Sequence, residues 1–335
     1  MQSLYTYENK NILITGGAGF IGHYLIKKLL QQKSNVYVLD NLSTGKNENL
    51  PDHPDLHFFN DSVLNNSWIN SFSNISFDLI IHLASVVGMK LATKYQHLVY
   101  ETATEGTLNV LNAFPDVPVV LFSSSAVYGI ENILPVSESQ EISYEQLLQY
   151  DGGTKGYACG KWKMEQIGLA ASGNGRKVII VRPFNVIGYK QVNTYGMVVP
   201  TLIDQAISGT SLTVFGDGCQ VRSFSYVKTF TECFFKLLSE KDAWRHGNNI
   251  FNIGTPAGSS INELALIVLK ETNSRSLIKY SLYHDIFPHH NDVLYRVPDV
   301  THGEKYFGKT QWPSLQQIVN RIATRKKLAD NVMIS

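Results

Sequence analysis

Residues 11–22, NILITGGAGFIG, constrain the fold of this chain more than any other stretch. Ile12, Leu13 and Ile14 form a short apolar run, long enough for a buried strand, and Thr15 ends it. Gly16, Gly19 and Gly22 follow at a spacing of three. From residue 20 to 30 the apolar side chains (Phe20, Ile21, Tyr24, Leu25, Leu29) fall at helical intervals. A strand, a glycine turn and a helix in succession leave unpaired N–H groups and the positive helix end free to hold a diphosphate. Gly16 permits the tight turn, Gly19 lets a ligand approach the backbone, and Gly22 lets helix and strand pack closely. Glycines also make plain turns, so context decides. Residues 36–39 form a second apolar run ending in Asp40, where an acid can hold an adenosine ribose. That favours a dinucleotide.

Further strands are expected at 56–59, 77–82, 119–122 and 178–181, and helices at 68–72, 95–114 and 155–171. The alternation predicts an α/β fold, a Rossmann-type doubly wound parallel sheet covered on both faces. Ligands of such sheets bind beyond the carboxyl ends of the strands. Asp40, His82 and Ser123–Ser125 all fall at such ends; Asp61 would sit where a strand opens towards an adenine, or serve as an acidic helix cap. From about Gly188 the alternation weakens, although helices are expected at 201–208, 230–238 and 261–269 and strands at 212–215 and 250–253. We expect a first domain over 1–187 and a smaller C-terminal α/β substrate-binding region over 188–335, partly interleaved with it.

With 29 basic and 28 acidic residues, no global field draws the chain to nucleic acid or to a membrane surface. The one dense basic cluster, 321–327, reads as the solvated face of a last helix. Cys159, Cys219 and Cys233 are too few and too scattered for a disulfide framework or a metal site. No apolar run approaches a membrane span, and none near the start reads as a signal peptide. A cytoplasmic location is the expectation.

Tyr157 and Lys161 are four apart on an expected helix, so both face one way. Tyrosine is a poor base at neutral pH, because its reference pKa is about 10. A neighbouring ammonium and a positively charged nicotinamide ring would bring the phenol towards working pH. A hydroxyl from Ser124 could bridge it to a substrate. Together they could take a proton from a sugar or alcohol hydroxyl while hydride leaves the same carbon. Such a pair is common on any helix; beside a dinucleotide site and a serine-tipped strand, catalysis is the favoured reading.

GGAGFIG, DNLSTG (40–45), the His82-Leu83-Ala84 strand end, SSSAVYG (123–129), YACGK (157–161) and RPFNVIG (182–188) occur in one order. Together they resemble the extended short-chain dehydrogenase/reductase superfamily, in its nucleotide-sugar epimerase/dehydratase branch. YGMVVP, LTVFGDG, Arg222 and Arg296 extend the resemblance over almost the whole chain. It implies bound NAD, a nucleoside-diphosphate-sugar substrate and transient oxidation at the sugar's C4. Carried over by position, Ser124, Tyr157 and Lys161 are the catalytic set. Gly16, Gly19, Phe20, Ile21, Asp40, Asn41, Ser43, Gly45, Asp61, Ser62, Leu83, Ala84 and Ser85 would surround the cofactor, with Pro183, Tyr157 and Lys161 near its nicotinamide end. Asp40 suits NAD rather than NADP, since a carboxylate repels a 2′-phosphate. Asn185, Val199, Arg222 and Arg296 match substrate positions, the arginines being suited to the diphosphate.

By the same resemblance, 4,6-dehydratases carry an Asp-Glu pair after the serine, and nucleotide-glucuronate decarboxylases a glutamate in place of Ala126. Ser125 and Ala126 can do neither job, whereas a 4-epimerase needs no third acid or base. SSSA is similar to the sequence in UDP-glucose 4-epimerases, so a UDP-hexose 4-epimerase is the expectation. Ala103 replaces a usual asparagine, and Ser223 and Thr229 replace common aspartates. Lys90 could assist as an acid/base, contact phosphate, or simply be a solvent-facing charge. The rivals are a dehydratase (4,6- or 5,6-elimination) or decarboxylase on the same scaffold, and a non-catalytic NAD-binding regulatory protein. The resemblance also implies a homodimer through 95–114 and 155–171.

Overall fold

The computed structural model describes residues 7–130, 134–150, 152–282 and 293–334. Six strands run through the first half: β1 (Asn11–Thr15), β2 (Asn35–Leu39), β3 (Leu56–Phe59), β4 (Leu79–His82), β5 (Val119–Phe122) and β6 (Val178–Pro183). Helices α1 (Phe20–Gln31), α2 (Ser67–Ser71), α3 (Met89–Lys94), α4 (Gln96–Ala113), α5 (Tyr144–Leu147) and α6 (Gly152–Gly173) lie between them. The second half supplies the strands β7 (Val186–Ile187), β8 (Leu212–Phe215), β9 (Val221–Ser223), β10 (Ser225–Tyr226), β11 (Ile250–Ile253), β12 (Gly258–Ser260), β13 (Ile278–Ser281) and β14 (Tyr295–Arg296). Its helices are α7 (Val198–Ile207), α8 (Val227–Leu238), α9 (Ile261–Thr272), α10 (Thr301–Phe307) and α11 (Leu315–Ile334).

The main sheet has the order β11-β6-β5-β4-β1-β2-β3, and every pair in it is parallel. It is the doubly wound Rossmann-type sheet that the alternation predicts. Its strands are buried on both faces, so they are apolar throughout. Ile12, Ile14, Val36 and Val38 pack one way, towards α1 and α8 through Leu25, Phe230 and Phe234. Leu13, Ile80 and Leu121 pack the other way, against Trp68, Phe72, Val110 and Met164. The period of two along each strand places neighbouring residues in opposite cores. Strand order reverses between β1 and β4, and that switch point opens a crevice beyond the strand ends.

The second half builds small sheets of its own, β10-β7, β12-β9-β14 and β13-β8, while β11 joins the edge of the main sheet beside β6. These strands are only two to four residues long, and apart from β8 and β11 their sequences carry no apolar run, which is why pattern alone does not find them. The basic cluster 321–327 lies on the last helix with Arg321, Arg325 and Lys327 exposed, as expected, and these side chains also make contacts. Arg321 lies over the Tyr226 ring at 5.3 Å and Arg325 over Tyr189 at 5.7 Å. Lys326 pairs with Asp204, and Lys327 donates to Thr272 O at 2.8 Å. These cations flank the buried Ile318–Val319 and Ile322–Ala323 positions, so they help dock α11 onto its neighbours. Among the described residues no helix is long and apolar enough to cross a membrane.

Candidate active site

A cleft of about 1180 Å³ runs along the strand ends, from the glycine turn and Asp40 past Ser124 and Tyr157 to Arg222. Its first wall is made by the turn after β1. Gly16 has φ +70°, and a Cβ there would stand 2.6 Å from Ala84 N. Only glycine fits. A Cβ on Gly22 would meet Gly17 O at 2.4 Å, which fixes how closely α1 packs on its own turn. Asp40, nearly buried, accepts from Ala18 N at 2.9 Å and Leu42 N at 2.8 Å. Burial raises its pKa and these two N–H groups counter the rise, so its carboxylate both closes the turn and leaves lone pairs for a ribose. Ser85 Oγ is buried on the cleft wall with no hydrogen-bond partner. A backbone cradle closed to any side chain, a carboxylate at the end of β2 and an orphaned hydroxyl together fit a dinucleotide.

Gly19, Phe20, Ile21, Asn41, Ser43, Asp61, Ser62, Leu83, Ala84 and Pro183 line the same cleft. Gly45 does not. A Cβ there would fall 2.9 Å from Ala18 Cβ and 3.0 Å from Asp40 Oδ1, so Gly45 serves the packing of its loop on the glycine turn. Asp61 lines the wall and also accepts from Ser67 Oγ, Ser62 N and Asn65 Nδ2, and the Ser67 bond leads in holding its pKa down. Asp61 thus stands on the cleft wall and does not cap α2, which has no side-chain cap. Behind the wall, Thr107 donates to Ala103 O at 2.6 Å, which leaves its oxygen to accept from His82 Nε2 at 3.2 Å. His82 Nδ1 then accepts from Thr15 Oγ1 at 2.7 Å. Burial pushes this imidazole down to about 3, so it stays neutral and ties β1 to α4 through a fixed tautomer.

The second wall carries Ser124, Tyr157 and Lys161, all on the cleft. Ser124, two residues beyond β5, caps the following 3₁₀ turn, its Oγ accepting from Ala126 N at 3.1 Å. The same hydroxyl is hydrogen-bonded to the Tyr157 phenol. Lys161 Nζ lies 5.9 Å from the Tyr157 ring centroid and donates to Phe122 O at 2.6 Å. Burial pushes Lys161 down to about 7, against the pull of Glu165. Burial also raises Tyr157, against the Ser124 bond. In the protein alone burial leads, and the expected lowering of the phenol counts on the positive nicotinamide ring as well as the ammonium.

Beneath this wall lies a network that the sequence does not single out. Arg182 grips Glu165 through two bonds, Nε–Oε1 at 2.8 Å and Nη2–Oε2 at 2.6 Å. Ser123 Oγ donates to Oε1 at 2.5 Å, and Arg182 Nη1 bonds the Tyr128 hydroxyl at 3.0 Å, which donates to Asn252 Oδ1 at 2.7 Å. Glu165 and Arg182 are both buried. The hint was Glu165 four residues beyond Lys161 on α6, a spacing that surface helices share.

The remaining positions are spread around the far wall. Asn185 (φ +31°) presents its side chain at the strand end and donates to Ser223 O at 2.9 Å. Val199 is buried at the start of α7, and Arg222 Nη1 donates to Val221 O at 2.9 Å. Arg296 lines the cleft, yet its terminal nitrogens bond Ser125 O, Gly129 O and, at 2.9 Å, the Tyr150 hydroxyl. Only its buried Nε lacks a partner. It braces the turn that carries Ser124. Lys90, on α3, is exposed on the cleft.

The sequence profile of the NAD dependent epimerase/dehydratase family matches residues 12–254. The chain is 33% identical over 303 residues to a UDP-N-acetyl-alpha-D-glucosaminuronate decarboxylase of Bacillus cytotoxicus, covering 87% of this chain and 90% of the relative. It is 31% identical over 270 residues to a putative UDP-glucose 4-epimerase of Methanocaldococcus jannaschii, covering 79% and 83%. Among solved structures, UDP-glucose 4-epimerase of Thermotoga maritima with UDP-glucose superposes with a TM-score of 0.82 at 26% identity, over 95% of this chain and 99% of that one.

Proposed function

The chain belongs to the NAD-dependent epimerase/dehydratase family, and from that premise we propose that it is a 4-epimerase of a UDP-sugar. One observation carries the reading. Among the described residues that line the cleft, the carboxylates are Asp40, Asp61 and Asp204. Asp40 and Asp61 belong to the first wall, and Asp204 is paired with Lys326 and Asn193. Ser125 and Ala126 follow Ser124, so among the described residues lining the cleft no carboxylate accompanies the hydroxyls of Ser124 and Tyr157. A reaction that needs only one acid/base at the sugar's C4 hydroxyl is the one this side-chain set supports.

When bound, NAD would supply reversible hydride acceptance at C4 and a positive ring that favours the phenolate. Gly16, Gly19, Asp40 and Ser85 would hold it. Tyr157 takes the C4 hydroxyl proton and later gives it back, Ser124 holds the same oxygen, and Lys161 keeps the phenolate stable by charge. Between the two transfers the 4-keto sugar turns over, so that hydride returns to its other face. Arg222 suits the diphosphate, Asn185 and Val199 would line the substrate, and Arg296 acts on it through the Ser124 turn. We carry a homodimer through α4 and α6 as part of the same proposal; a monomeric mass by light scattering at micromolar concentration would contradict it.

The decarboxylase reading keeps a place because of the 33% identical relative. Incubation with UDP-sugars, acidic and neutral, followed by NMR of the products, decides between them. A C4-inverted sugar supports the epimerase. An unsaturated product, or a pentose with released carbon dioxide, would sink it, and a complex that retains NAD without any turnover would point to a regulatory role.

A further inference from the structure

The proposed chemistry uses Ser124, Tyr157 and Lys161, yet a fourth polar residue faces the same helix and has no part in it. Ser123 immediately precedes Ser124, is buried, and donates to Glu165 Oε1 at 2.5 Å. Tyr157, Lys161 and Glu165 recur every four residues along α6, so their side chains share one face. That face meets three consecutive residues at the end of β5. Tyr157 bonds the Ser124 hydroxyl, Lys161 Nζ donates to Phe122 O at 2.6 Å, and Glu165 accepts from Ser123. The third of these rungs has a fixed acceptor. Arg182 holds both carboxylate oxygens of Glu165, at 2.8 and 2.6 Å, and its guanidinium lies over the Tyr128 ring at 4.8 Å.

The place of Ser123 in the backbone gives that rung its purpose. β5 keeps register with β6 as far as Phe122 opposite Val181, and Ser123 N adds one more bond, to Val181 O at 2.8 Å. The chain then leaves the sheet for the 3₁₀ turn of Ser125–Tyr128. Ser123 is therefore tied to both β6 and α6 at the point where the sheet lets go, one residue before Ser124. We propose that Ser123 is a positioning residue: its bond to Glu165 fixes the end of β5 against α6, and so keeps the Ser124 hydroxyl on the Tyr157 phenol and Phe122 O on the Lys161 ammonium. This rests on the reading of Ser124, Tyr157 and Lys161 as the reacting set. The Tyr157–Ser124 bond cannot hold the register by itself, because the phenol gives up and regains its proton in every turnover. A rung that stands outside the proton transfer holds it throughout.

The test compares wild type, Ser123→Ala and Ser123→Thr as full-length, NAD-loaded proteins. Ser123→Ala removes one bond and leaves Glu165 paired with Arg182, so the fold is kept. With UDP-glucose, or UDP-glucuronate if only the acidic sugar is turned over, Ser123→Ala should lower kcat roughly tenfold or more, with KM and bound NAD unchanged. Ser123→Thr keeps the hydroxyl and should restore most of the rate. An unchanged kcat in Ser123→Ala overturns the inference, and so does a loss that appears only in KM. A Ser123→Thr protein that retains the Glu165 bond yet turns over no faster than Ser123→Ala overturns it too. Crystal structures of the three proteins supply a readout besides activity. The Ser124–Tyr157 hydrogen bond should lengthen or break in Ser123→Ala and persist in Ser123→Thr. If neither sugar is turned over, this comparison still decides: an altered bond in Ser123→Ala upholds the positioning role while the epimerase reading falls, and an unaltered one overturns the role.

Discussion

The two walls of the cleft are held by different means. The glycine-turn wall is closed largely by backbone and near neighbours: Gly16 N donates to Leu39 O, Gly19 N to Gly16 O, and Asp40 accepts from Ala18 and Leu42. The wall that carries Ser124, Tyr157 and Lys161 is closed by side chains that meet from far along the chain. Arg296 reaches Ser125 and Gly129, Tyr128 reaches Asn252, and Arg182 locks Glu165 beneath Ser123. A wall that must admit a bound diphosphate can be built from amides alone, because amides are what the diphosphate reads. A wall that must hold a phenol, a hydroxyl and an ammonium in register needs rigid backing for each. The chemistry of the first wall is written locally and that of the second globally.

Removing the phenol's hydroxyl tests the second wall most directly. Tyr157→Phe should lower turnover by about 10³-fold, the range for a positioned acid/base, while NAD stays bound. Unchanged turnover would remove Tyr157 from the chemistry. The next largest effect should fall on stability, through the buried pair beneath the wall. Glu165→Gln leaves Arg182 charged, buried and poorly matched, and should cost roughly 3–5 kcal/mol in chemical denaturation. Replacing both partners by apolar residues of similar volume, Glu165→Leu with Arg182→Met, should recover most of that loss. If Glu165→Gln alone were neutral, the second wall would not depend on its distant partners, and the contrast between the walls would fail.

This difference explains what was legible in the sequence. Strand, turn and helix in 11–31, with Asp40 after the next strand, are adjacent in sequence and adjacent in space, so spacing alone places them. Tyr157 and Lys161 were legible because one helix turn separates them. Glu165 shared that helix, but its spacing from Lys161 is one that surface helices share, and its meaning depends on Arg182, Ser123 and Tyr128 arriving from other segments. Arg296 was found as a residue and misplaced in its contacts, because sequence does not show that the Ser125 and Gly129 carbonyls stand within its reach. The short strands of the second half were hidden for the same reason. They exist because β9 offers an edge to β12 and β14, not because their own residues form apolar runs.

The first wall can be probed by a smaller change. Gly16→Ala should cost about 2 kcal/mol, combining the strain of a positive φ with displacement of the Ala84 backbone. Gly175→Ala is the control: Gly175 also has positive φ (+94°), but nothing lies within 4 Å of the added Cβ. It should cost about 1 kcal/mol or less in thermal denaturation. Equal losses would mean that close approach contributes nothing at Gly16 and that its glycine serves only the turn.

The finest distinction concerns Lys161, whose charge the second wall must carry at the expense of burial. In the folded chain its pKa is pushed down from 10.5 to about 7. Between those two values the unfolded chain binds more protons than the folded one, so this group makes the wild type more stable as pH rises. Below about 7 both states are protonated, and the full penalty of burying the ammonium is present and constant. Lys161→Met lacks the group and lacks the penalty. Other titrations are common to both proteins and cancel in the difference. The stability advantage of Lys161→Met over wild type should therefore narrow from pH 7 to pH 9, by on the order of 1 kcal/mol per pH unit, in matched urea denaturations. An advantage that widens with pH would mean that Glu165 outweighs burial, and that the ammonium is held charged by its buried neighbour rather than left to titrate beside Tyr157.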